Sequence, residues 1–72
     1  MEIVSQYRKG GWIAQVGWNG LNYTGRFGAC DGITKVSWFN WVDISHKELS
    51  YIDKQSNRVE KKYAEIYMDI CS

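Results

Sequence analysis

Large apolar residues alternate with small or polar ones from Trp12 to Phe27, and the alternation reverses around Asn19-Gly20. This predicts a β-hairpin, because Asn-Gly tolerates the positive φ that a type I′ turn needs at both central positions. Closing the turn there sets Trp18 opposite Leu21, Val16 opposite Tyr23, Ala14 opposite Gly25 and Trp12 opposite Phe27 on one face. Gly17 with Asn22, Gln15 with Thr24 and Ile13 with Arg26 fall on the other face. A slip of one residue would turn the aromatic set to water. Residues 2 to 8 read as a first strand of mixed alternation, and Lys9-Gly10-Gly11 as the turn that follows it.

Beyond the hairpin, residues 28 to 32 read as a loop and Ile33 to Ile44 as a fourth strand, rich in β-branched and aromatic side chains. If extended throughout, it carries Val36, Trp38, Val42 and Ile44 on one face, and Ile33, Phe39 and Trp41 on the other with Lys35 and Ser37. Both faces are apolar in part, which predicts a bulge or a surface kept for something outside the core. The last third opens with Ser45-His46-Lys47-Glu48, a capping-box spacing. Leu49, Ile52, Ser56, Val59, Tyr63, Ile66 and Ile70 then recur at intervals of three and four, which predicts an amphipathic helix, continuous or broken near Asn57. A competing reading takes Asp53 to Arg58 as a tight turn and Tyr63 to Ile70 as a strand. The fold expected is α+β, an antiparallel meander of three to four strands packed by a C-terminal helix. The alternative is a small all-β, barrel-like fold with a second hairpin near Asn57.

Seventy-two residues make one small domain, 1–72, near the size at which a single core becomes marginal. Four Trp, five Tyr and two Phe supply much of what such a core can bury, with some left partly exposed. Nine Lys and Arg against eight Asp and Glu give a net charge of +1, without the global footprint of an avid binder of nucleic acid or anionic membrane. The start, Met1-Glu2-Ile3, has neither a basic segment nor a long apolar run, so no leader and no membrane span are expected. Cys30 and Cys71 are then expected as free thiols in a reducing cytoplasm, with a bridge between them as the alternative.

Candidate chemistry is sparse. Cys30 beside Asp31, with the single histidine His46, would make a thiolate and its base only if the two came within hydrogen-bond reach. Two Cys and one His fall short of a four-ligand zinc site, and the glycine-rich run Gly25 to Gly32 lacks the Gly-Lys-Ser/Thr ending of a phosphate loop. No catalytic residue, metal or cofactor is therefore expected, and the chain reads as a binding module rather than an enzyme.

Residues 8 to 28 resemble the three-stranded sheet of plant AP2 domains and of integrase arm-binding domains, which lies in the DNA major groove. The resemblance implies Arg8, Trp12, Gln15 and Arg26 as base-reading candidates, with Lys9 and Lys35 as further cations on the basic sheet face. Where those families continue into an alanine-rich helix, this chain has an aromatic, strand-like segment. That segment favours another partner, because apolar surface on an uncovered sheet face marks protein interfaces. The leading expectation is binding of another protein, or of a second copy of the chain, through Ile33, Trp38, Phe39 and Trp41. An accessory or inhibitor of the phage or mobile-element type, blocking a larger partner, would fit. Nucleic-acid binding is the alternative.

Overall fold

A computed structural model describes residues 1–71 of the chain. Five strands form one antiparallel sheet, β1 (Glu2–Lys9), β2 (Trp12–Trp18), β3 (Tyr23–Asp31), β4 (Lys35–Trp38) and β5 (Val42–Asp43). The first four neighbour one another in chain order, and β5 pairs with β3 beyond the end of β4. Two helices follow, α1 (His46–Ser56) and α2 (Tyr63–Cys71), with a 3-10 turn at Glu60–Lys62 between them. The α+β expectation holds, with two helices in place of one.

The mixed alternation of β1 has a mechanical cause. Ile3 pairs with Gly17 and Ser5 with Val16, so Val4 is an extra residue, a β-bulge. It lets Val4 pack on the core while Ser5 also faces the helices. Ser5 Oγ donates to the Lys61 carbonyl at 2.7 Å and accepts from the Ala64 amide at 2.9 Å, pinning the start of α2 to the sheet.

The central hairpin turns where expected but in a different register. Trp18 pairs with Tyr23, Val16 with Gly25 and Ala14 with Phe27, two residues away from the tight-turn pairing. Asn19 does not take positive φ; Gly20 alone does in this loop, at 99°. The Asn19 side chain instead accepts from the amides of Leu21 at 2.9 Å and Asn22 at 2.8 Å, closing a longer loop with its own Oδ1. A shift of two leaves every strand residue on its expected face and moves Leu21 and Asn22 out, to the exposed loop. β3 also outruns the expectation, since residues 28 to 31 are strand and pair with β4. The expected long fourth strand is two short ones, separated at residues 39 to 41.

At the head of α1 the capping box forms as read, with Ser45 Oγ accepting from the Glu48 amide at 3.2 Å and Glu48 Oε1 from the Ser45 amide at 3.4 Å. The helix ends at Asn57, whose φ of 56° is left-handed, and Arg58 follows at 62°. Those two residues reset the helical phase. α2 therefore buries Tyr63, Ala64, Tyr67 and Met68, while Ile66 and Ile70 are only partly buried. The core lies between the sheet and the helices, with Ala14, Val16 and Ile44 on one side and Ile52 with the inner residues of α2 on the other. Gly25 lets α2 come this close: a Cβ there would stand 2.5 Å from the Tyr67 ring.

Candidate functional site

Two features stand out on opposite faces of the sheet. On the helix side, at the end where β2 begins and α2 finishes, a cleft of about 580 Å³ is lined by Lys9, Trp12, Phe27, Phe39, Met68, Asp69 and Cys71. Phe39 follows β4 and is tied down by its amide, which donates to the Phe27 carbonyl at 2.9 Å. Its ring stacks with Trp12 at 6.4 Å between centroids and 23° between planes. Both remain open, Trp12 at 52% and Phe39 at 58% exposure. The interior wall is better packed, with Phe27 stacked on Tyr67 at 4.9 Å.

On the far face no helix covers the sheet, yet Ile13, Gln15 and Thr24 are buried there. Side chains from the strands and from the segment beyond β4 cover them. Gly28 admits the cover, since a Cβ at that position would meet Val36 Cγ1 at 2.5 Å, Trp38 at 2.9 Å and Ile13 at 3.0 Å. The Arg26 guanidinium lies 3.9 Å from the Trp38 ring centre and 4.5 Å from that of Trp41. Its Nε donates to Gln15 Oε1 at 2.8 Å, and Gln15 Nε2 donates to Gln6 Oε1, also at 2.8 Å. Met1 lies against the other end of this face, its sulfur 3.5 Å from Thr24 Oγ1.

The structure thus divides the expected protein-binding set. Trp38 and Trp41 flank Arg26 on the far face, Phe39 turns to the helix side, and Ile33 sits at the tip of the β3–β4 turn at 92% exposure. Phe39 and Trp41 do not share a face because the chain leaves the strand between them. The nucleic-acid set is divided as well. By register, Arg8, Gln15 and Arg26 belong to the far face, and Lys9, Trp12 and Lys35 to the helix side. Arg8 donates from Nη2 to the Gly32 carbonyl at 3.4 Å. Sequence reasoning missed the pairing of Trp12 with Phe39, and no local pattern signals it.

The shifted ionisable groups are tyrosines and one thiol. Tyr23 donates to Glu60 Oε2 at 2.6 Å, and that bond, with burial, pushes its pKa up to about 12. Burial, then a hydrogen bond to Asp53, raises Tyr63 as well. Burial, with Cys71 and Glu48 near, takes Tyr67 to about 12, and burial with Glu48 raises the Cys71 thiol. Every shift favours the neutral form, so these groups act as donors and packing surfaces. Tyr23 and Tyr63 meet edge to face at 5.5 Å, which fastens β3 and α1 to the start of α2.

Cys30 sits in β3 opposite Val36 and His46 opens α1, and among the described residues no hydrogen bond joins them. Both cysteines are free. Among the described residues no three His, Cys, Asp or Glu side chains gather as metal ligands, and no helix is long and apolar enough to cross a membrane. Comparison with protein-family models, with curated proteins and with solved structures finds no match.

Proposed function

We propose that the protein is a non-enzymatic binding module that grips an apolar side chain of a partner protein in the cleft beneath Trp12 and Phe39. One observation carries the reading: two large aromatics stack on each other at the cleft mouth and still leave half or more of their surface to water. Large aromatics held rigid beside a concave apolar surface are the material of interface hot spots. A cleft of about 580 Å³ has room for such a side chain, and Lys9 on its lining offers a positive charge to orient the incoming segment.

The role proposed is that of an accessory or inhibitor, as in small phage and mobile-element proteins, covering a larger partner's working surface. The free thiols suit a cytoplasmic setting. Tyrosines and a thiol biased toward their neutral forms suit packing better than proton transfer. The alternative, nucleic-acid binding by a basic sheet face, draws less support because the candidate cations lie on two faces.

The test is a photo-crosslinking amino acid placed at Phe39, compared with the same group at the exposed hairpin tip, Leu21. The expected result is a protein adduct formed from position 39, absent from position 21 and lost with Trp12→Ala at unchanged fold. Equal adducts from both positions, or adducts only with nucleic acid, would refute the cleft.

A further inference from the structure

We propose that Arg26 is a second recognition point, a guanidinium preset to receive the carboxylate of an acidic side chain of a partner protein. Two indoles lie against the guanidinium, and Nε is taken by Gln15, which is itself buried and fixed by Gln6. A guanidinium carries its remaining N–H donors on Nη1 and Nη2. Among the described residues neither has a protein acceptor, and no buried polar atom is left unpaired, so both nitrogens keep some contact with solvent. This is the end of the group that takes a carboxylate through two parallel charge-assisted bonds.

The arrangement also removes the usual obstacle to such recognition. A free arginine loses rotamer freedom when it binds, whereas this one is already ordered by folding. Its positive charge is available as well. The neighbouring carboxylate of Asp43, set opposite Thr24, makes no ion pair with it among the described residues. The exposed edge of Trp38 offers apolar contact beside the fork, so the complementary segment is a Glu or Asp flanked by apolar residues.

A nucleic-acid strand fits less well. Phosphate binding gains strength from several cations along one track. On this face the other arginine, Arg8, already donates to the Gly32 carbonyl, and the whole chain carries only +1. One isolated fork between aromatic walls suits one carboxylate. The site lies across the sheet from the Trp12–Phe39 cleft and stands or falls independently of it.

The experiment is an NMR titration of the intact protein that follows the Arg26 Nε–H and the indole N–H signals of Trp38 and Trp41. The probes are a capped Leu-Glu-Leu peptide, inorganic phosphate and an oligothymidine. The expected result is saturable shifts of all three signals with the peptide, weakened about tenfold by Arg26→Lys, which keeps the charge and removes the fork. Gln6→Ala, at the exposed end of the chain of donors, should weaken binding about threefold by loosening the guanidinium, and it guards against a lysine variant that folds poorly. Absence of shifts, equal binding by Arg26→Lys, or phosphate binding as tight as the peptide would overturn the proposal. Tighter binding of oligothymidine with a steep loss in salt would overturn it in favour of nucleic acid.

Discussion

The two faces of this sheet are covered by different means. The helix side is closed by whole elements: Ile52, Tyr63, Ala64, Tyr67 and Met68 arrive on helices and bury Ala14 and Val16 completely. The far side is closed by single side chains, chiefly Arg26, Val36, Trp38 and Trp41, over Ile13, Gln15 and Thr24. The first mode seals an apolar core and supplies most of the stability. The second shields a few residues and keeps a charge at the surface. Both helices pack on one face, and stacking of indoles with a guanidinium stands where a second layer would lie.

Substitutions on each face should break this contrast if it is wrong. Ile52→Ala, at a fully buried position, should destabilise the whole molecule by about 2–5 kcal/mol in urea unfolding, lost as one transition. The sharpest pair lies on one strand. Gly25→Ala drives a methyl into Tyr67, which α2 holds in place, and should cost about 2–3 kcal/mol. Gly28→Ala drives one into Val36 and Trp38 on the short β4, which has freedom to move outward. It should cost about 1–2 kcal/mol, with hydrogen-exchange protection lost in β4 and kept in the helices. If the two glycines respond alike, the far face is as firmly built as the core.

Smaller effects refine the picture. Arg26→Ala should cost about 1–2 kcal/mol through lost cation–π and hydrogen-bond contacts, and should shift tryptophan emission while leaving helical circular dichroism unchanged. Arg58→Gly should stabilise by about 0.5–1 kcal/mol, since φ of 62° strains any branched or long side chain there. The last test is alkaline. Tyr23 is raised from 10.0 to about 12, so the stabilisation from its bond to Glu60 is complete below pH 10 and is lost as pH climbs through 12. Tyrosinate absorbance should reveal this late ionisation, and Glu60→Gln should bring Tyr23 back toward its ordinary value.

The faces of the central hairpin were legible in the sequence because period-two alternation survives a two-residue shift. Its register was not, since the Oδ1 of Asn19 closes a longer loop in place of the tight turn. The capping box at Ser45 was legible because both partners lie within one turn. The break at Asn57 was anticipated, but not the change of phase that buries Tyr67 and Met68 in place of Ile66 and Ile70. The binding candidates fared worse. Strict alternation puts Phe39 and Trp41 together, but the chain leaves the strand between them, so that Trp41 meets Arg26 and Phe39 meets Trp12.

One residue in β1 bears on how the molecule keeps company with itself. β1 borders the sheet, and an unbroken border strand of eight residues is a template onto which further chains add, copy after copy. Val4 puts this one out of step midway, so a neighbour in register with Glu2 and Ile3 falls out of register beyond Ser5. The same inserted residue that turns Ser5 toward α2 thereby interrupts the border strand as a template for a neighbouring chain.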